Sequence, residues 1–188
     1  NVALSGSLDG GLHAGITFLC GPSKHFKSML GLMMVKSYFD RYPDAICMFY
    51  DSEFGITTDY LQAVGIDPSR IIHQPIMNLE ELKFDIMAKL EQIERGDKII
   101  FFIDSIGGLA SKKEVEDAKE EKSAADMTRA KQFKGLWRML TPIFPLKNIP
   151  LIAINHSYKD MCLDGNTKIK TEHGIIPIKD IKVGDRVY

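Results

Sequence analysis

Four groups of residues have the types and spacing to do chemistry. Gly21-Pro22-Ser23-Lys24-His25-Phe26-Lys27-Ser28 carries a glycine, a lysine and a hydroxyl at the intervals of a phosphate-binding loop, G-x-x-x-x-G-K-[ST], with Phe26 where the second glycine is expected. Such a loop turns backbone N–H groups inward around β- and γ-phosphates, adds a Lys for their charge, and places a hydroxyl on Mg²⁺ at a helix N-terminus. If Phe26 keeps an ordinary backbone conformation, the loop closes with Ser23 and Lys24 carrying the strained turn. Asp104 ends the apolar run IIFFI, where a carboxylate can hold Mg²⁺ through water beside Ser28. The plain alternative is a polar strand terminus. Glu53, in FYDSEFG, follows another apolar run and could orient and deprotonate an attacking water, or be a solvated turn residue. Cys162 opens CLDGNTKI, and a thiol there could act as a nucleophile or be a buried side chain.

The elements that must position these groups alternate. Ile16 to Cys20, Ala45 to Tyr50, Ile99 to Ile103 and Leu151 to Ile154 read as strands. Between them, Met29 to Tyr38 suits a buried helix, and Leu79, Leu82, Ile86, Leu90 and Ile93 mark one helical face that starts at Asn78 with Glu81 and ends at Gly96. Met127, Ala130, Phe133, Leu136, Trp137 and Leu140 mark another, stopped by Pro142. Strands alternating with helices imply an α/β fold whose mostly parallel sheet has helices on both faces.

Composition bounds the rest. The 188 residues, 45% hydrophobic and 26% charged, allow one substantial core and a small appendage. A net charge of −1 excludes a general basic coat, so nucleic acid would need a local patch. Cys20, Cys47 and Cys162 are too widely spaced for a disulfide framework or zinc site, which points to a reducing cytoplasm. The longest apolar runs are strand-length, so no membrane association is expected. The chain opens on Asn1 without an initiator Met or signal-like stretch and is expected to be a fragment at that end.

In order and wording, GPSKHFKS, FYDSEFGIT, IERGDKIIFFIDSIGGLASKKE, DMTRAK and NIPLIAINHSY resemble the RecA family in its phage UvsX-like branch, over nearly all of residues 1–161. The resemblance implies an incomplete RecA-like P-loop NTPase core that binds ATP and Mg²⁺ and lacks the second loop glycine. It makes Glu53 the catalytic base, Asp104 the Mg²⁺-linked acid, and Tyr60 an adenine-packing aromatic, although Tyr60 could equally pack a helix. Asn155 and His156 fall at the γ-phosphate sensor, with His where RecA itself has Gln.

Residues 112–122, KKEVEDAKEEK, carry four basic and five acidic side chains and read by charge as a solvated helix or loop. By resemblance they fall in the first DNA-binding loop. Arg129, Lys131 and Lys134, on the following helix, are the better phosphate contacts. The second DNA loop is expected from Ser157 to Met161. The resemblance implies a DNA-dependent ATPase that forms filaments on single-stranded DNA and exchanges strands with a duplex, in the cytoplasm of a phage-infected bacterium. A RecA-core helicase-type motor, or a truncated non-catalytic nucleotide-binding remnant, are the rivals.

The 27 residues from Cys162 to Tyr188 resemble the N-terminal block of an intein. The resemblance makes Cys162 the nucleophile toward the Met161 carbonyl, with a β-hairpin turning at His173-Gly174 and a further turn opened by Asp180 and Val183-Gly184-Asp185. The T-x-x-H block, the terminal His-Asn pair and the acceptor residue have no match here. Splicing would therefore need a second polypeptide carrying the C-terminal intein and extein parts, as in a split intein; a truncated gene is the alternative.

Overall fold

A computed structural model describes residues 2–7, 11–119, 128–157, 166–172, 174–182 and 186. The chain divides into two compact units, Asn1–Ser157 and Tyr158–Tyr188.

The first unit opens with the short helix α1 (Val2–Ser5), followed by β1 (Gly15–Gly21), α2 (Lys27–Arg41) and β2 (Ile46–Asp51). It continues through α3 (Thr58–Val64), β3 (Ile71–Pro75), α4 (Leu79–Gln92) and β4 (Ile99–Asp104). Helices α5 (Lys112–Lys119) and α6 (Thr128–Lys147) then lead to β5 (Pro150–His156). The five strands form one sheet in the order β1-β5-β4-β2-β3, and every pairing is parallel. All strand carboxyl ends therefore lie along one edge.

The apolar run of β4 shows why a sheet covered on both sides needs no polar alternation. Successive side chains point to opposite faces. Phe101 and Ile103 join Leu82, Ile86, Leu136, Leu140 and Phe144 on the α4–α6 side, while Ile100 and Phe102 join Leu32, Val35, Phe49 and Leu61 on the α2–α3 side. Gly31 lets α2 approach closely, because a Cβ there would stand 2.4 Å from Cε2 of the buried Phe102. That ring stacks on Phe49 at 5.3 Å and has no room to retreat. We expect Gly31→Ala to lower stability by about 1–3 kcal/mol, the overlap outweighing the helix-propensity gain. A urea midpoint followed by Trp137 fluorescence checks this.

Local signals act as expected at α4, where Asn78 Oδ1 accepts the Glu81 N–H at 2.9 Å and the Glu81 carboxylate accepts the Met77 N–H at 2.9 Å. The helix ends at Gln92, before Gly96, which instead takes φ 123 in the turn toward β4. Pro142 does not stop α6, which runs on through Pro142 and Pro145 to Lys147. Leu136, Leu140 and Phe144 form one buried stripe across the first proline, and their burial, roughly 1.5–3 kcal/mol each, offsets the lost helical bond. The helix stops at Asn148, with φ 60: its N–H bonds to Pro145 O, and the Ile149 N–H bonds to Phe144 O. Strand β3 and helix α3 went unread in the sequence, since Ile71-Ile72 is too short an apolar run to stand out.

In the second unit, β6 (Lys168–Thr171) and β7 (Gly174–Pro177) form an antiparallel hairpin. Thr171 pairs with Gly174, so Gly174, expected in the turn, instead enters β7 at φ 107. The Thr171 hydroxyl donates to Gly174 O at 2.9 Å. Asp180 closes a 3-10 turn, Ile178–Asp180. Met161, Cys162, His173 and Val183-Gly184-Asp185 lie outside the described residues. No helix among the described residues is long and apolar enough to cross a membrane.

Candidate active site

The predicted loop joins the end of β1 to the start of α2, whose unpaired N–H groups face it. Phe26 itself adopts the left-handed conformation, φ 54 and ψ 22, and Lys24 shares it at φ 64; Ser23 does not. The expected division of strain is thus corrected: Phe26 takes the backbone shape a glycine would supply, at a cost on the order of 1–3 kcal/mol. Its side chain, 80% exposed, is turned outward and leaves the loop clear. Lys27 is buried, and its Nζ donates to Pro22 O at 2.7 Å across the loop. His25 Nδ1 meets Ser23 O at 2.8 Å.

Because β5 lies between β1 and β4, Asn155 and His156 at its end stand between the loop and the acidic strand ends. The Ser157 N–H bonds to Gly21 O at 3.0 Å and ties the end of β5 to the loop. His156 Nε2–H donates to Glu53 Oε1 at 2.6 Å, joining residues 103 positions apart. The Ser105 hydroxyl donates to the same oxygen at 2.7 Å. Burial alone would raise the Glu53 carboxyl, but these two hydrogen bonds and the nearby His156 and Lys27 charges hold it below the ordinary carboxylate range. About half of its side chain stays open to solvent.

Asp51 sets the turn that carries Glu53. Its Oδ1 accepts the N–H groups of Glu53 at 3.0 Å and Phe54 at 2.7 Å, while Oδ2 pairs with His73 Nε2 at 3.1 Å. Ser52 and Ser105 lock β2 to β4: the Ser52 hydroxyl donates to Ser105 O at 2.7 Å and accepts the Ser105 N–H at 3.0 Å. The sequence places Asp51 and Ser52 only in an acidic turn with Glu53, and it marks neither His73 nor Ser105. The Asp-x-Glu spacing was a usable signal for the first, since an aspartate readily caps the N–H groups just after it. Nothing local marks His73.

Asp104 is 3% exposed, and its Oδ1 is buried without a hydrogen-bond partner. Burial, followed by the charges of Glu53 and Asp51, raises its carboxyl to about 6 against the pull of the Ser28 hydroxyl and His156. A buried carboxylate oxygen left open beside a hydroxyl at a helix start suits a hard, oxygen-seeking divalent cation. Among the described residues no group of three His, Cys, Asp or Glu could hold a metal by itself, so such a cation would draw its other ligands from phosphate and water.

The Asp104 shift has a definite sign. The folded protein holds its proton above the ordinary value of 3.8, so stability falls as pH rises from about 4 to about 6, by at most about 1.4 kcal/mol per pH unit, and then levels. Urea unfolding in magnesium-free buffer is expected to show this slope in the wild type relative to Asp104→Asn, with the variant the more stable above pH 6. Parallel curves would refute the assignment.

The Tyr60 ring lies beside the first turn of α2, with its hydroxyl 3.4 Å from Met29 Sδ, and its N–H is capped by Thr57 Oγ1 at 3.2 Å. Asn155, half-buried, precedes His156 in β5. On α6, Lys131 and Lys134 are exposed, whereas the Arg129 guanidinium donates to Leu109 O at 2.8 Å and Gly107 O at 2.7 Å. Residues 112–119 are helical, and 120–127 lie outside the described residues. Of the other cysteines, Cys20 is exposed and Cys47 is buried with its thiol pKa pushed up by burial.

No protein-family model matches the chain. The chain is similar, at 58% identity over 159 residues, to the "Recombination and repair protein" of Enterobacteria phage T4, a match covering 85% of this chain and about two fifths (41%) of that protein's length.

Proposed function

We propose that residues 1–161 are the N-terminal part of a phage UvsX-like recombinase of the RecA family, and that the segment from Cys162 is an N-terminal intein fragment that joins it to the remainder by trans-splicing. The convergence of the phosphate loop, the Ser28–Asp104 pair and the Glu53–His156 pair at the carboxyl ends of four strands carries the nucleotide reading. The T4 relative, named for recombination and repair, supports the recombination role.

In this reading Gly21 to Ser28 cradle the β- and γ-phosphates of ATP, with Lys27 supplying charge. The Ser28 hydroxyl and Asp104 would hold Mg²⁺, which would supply positive charge against that developing on the phosphates. Tyr60 packs against the base. Glu53 orients the attacking water and takes its proton, and His156, bonded to Glu53, registers the γ-phosphate. Lys131 and Lys134 supply positive charge toward the DNA backbone. At the junction, the Cys162 thiol attacks the Met161 carbonyl: a C–S bond forms, the Met161–Cys162 C–N bond breaks, and the freed amine takes the thiol proton. Ligation to the second polypeptide would restore a DNA-dependent ATPase that forms filaments on single-stranded DNA and pairs them with a duplex.

Calorimetric titration with MgATP tests the nucleotide reading. The chain should bind, and Lys27→Ala should not while keeping its far-ultraviolet spectrum. A folded wild type that takes up no MgATP would refute it. In the ligated product, hydrolysis coupled to duplex unwinding in place of strand exchange would replace the recombinase by a helicase-type motor.

A further inference from the structure

We propose that Arg129 is a positioning residue for the Glu53–His156 pair, acting through the Gly107–Leu109 turn, and not a contact to nucleic acid; the inference rests on the reading of that pair as the hydrolytic and sensing groups. Arg129 lies in the first described turn of α6. Its placement there is accounted for by what it holds. Nε and a terminal NH₂ group donate to two carbonyls of one turn, Leu109 O at 2.8 Å and Gly107 O at 2.7 Å. The planar fork of a guanidinium spans two acceptors at once, which an ammonium cannot do.

That turn presses on the sensor. A Cβ at Gly107 would stand 2.9 Å from Asn155 Oδ1, 3.1 Å from His156 N and 3.3 Å from His156 Cδ2, so the bare backbone of the turn lies directly against the end of β5. The Ile106 N–H adds a bond to Ile154 O at 3.0 Å. On its other side His156 bonds Glu53, which Ser105, next to the turn in sequence, bonds as well. A guanidinium on α6 therefore sets the carbonyl pair, the carbonyl pair sets the turn, and the turn backs the imidazole that meets Glu53. Since α6 follows the segment expected to meet DNA, Arg129 also stands where a shift of that helix would reach the nucleotide side.

The test uses the 188-residue chain and its Arg129→Lys and Arg129→Ala variants, with histidine ring resonances assigned through His156→Gln. Both variants are expected to shift the His156 ring and the amides of Gly107 and Leu109, leaving the Trp137 indole and the hairpin amides in place. Lysine should fail to restore the wild-type positions despite keeping the charge. A His156 ring unmoved in both variants overturns the proposal. Should Arg129→Ala not fold, Arg129→Lys alone decides it. In the ligated protein, Lys131→Ala should lower the log–log salt slope of single-strand binding by about one, and Arg129→Ala should not. A slope lowered by Arg129→Ala and restored by Arg129→Lys would make Arg129 a phosphate contact and equally overturn the proposal. If wild-type chain fails to bind MgATP, the functional reading falls, while the ring shifts still judge what Arg129 holds.

Discussion

In the ligated protein, Glu53→Gln is expected to slow single-strand-stimulated ATP hydrolysis by about 10²–10⁴-fold, the usual worth of a positioned acid–base group. MgATP affinity should stay within the same order of magnitude. Glutamine keeps the shape and can still accept from Ser105 and His156, so the substitution removes the negative charge, the proposed acceptor of the water proton, and little else. Lys27→Ala acts at the other end of the reaction and should be lost at binding. The two carboxylates should also separate by pH. Glu53 is held below its ordinary value of 4.5 and remains ionised throughout the weakly acidic range. Asp104, raised to about 6, takes up its proton first on acidification, so Mg²⁺-dependent binding should weaken as pH falls through 6 while Glu53 is still charged. Separate determination of Kd and kcat from pH 5 to 8 distinguishes them. A Glu53→Gln variant with wild-type kcat would remove Glu53 from the chemistry.

Cys162→Ala should abolish ligation altogether. The first acyl shift needs a sulfur nucleophile, and alanine offers none, so the expected difference is all-or-none. Intact mass with and without a C-terminal intein partner reads it directly: the wild type should lose its 27-residue tail and gain a new segment, and hydroxylamine should trap the thioester. Cys20→Ser is the control, because Cys20 is exposed and could react adventitiously, whereas the Cys47 thiol is buried. Partner-dependent loss of the tail in Cys162→Ala, or none in the wild type with any partner, would set aside the splicing reading.

The residues of the proposed nucleotide site stand out because each sits in a strong local pattern: a loop spacing at 21–28, an acid closing the IIFFI run, and a glutamate two residues past the end of β2. The α/β alternation was legible for the same reason, since burial on both faces gives β4 an unbroken apolar run while α4 keeps its helical period. Which strand stands beside which was not written locally. The order β1-β5-β4-β2-β3 brings His156 to Glu53 across 103 positions and Asp51 to His73 across 22. Tertiary packing also overrode local preference. A phenylalanine took the left-handed turn at 26, and α6 continued through two prolines because its buried stripe outweighs the missing bonds. The same packing turned Arg129, which reads in the sequence as one more basic residue, onto the carbonyls of Gly107 and Leu109. Side-chain type and spacing thus determined which groups are available for chemistry. The pairing of strands distant in sequence decided which of them meet, because the burial that selects that pairing is a property of the whole sheet.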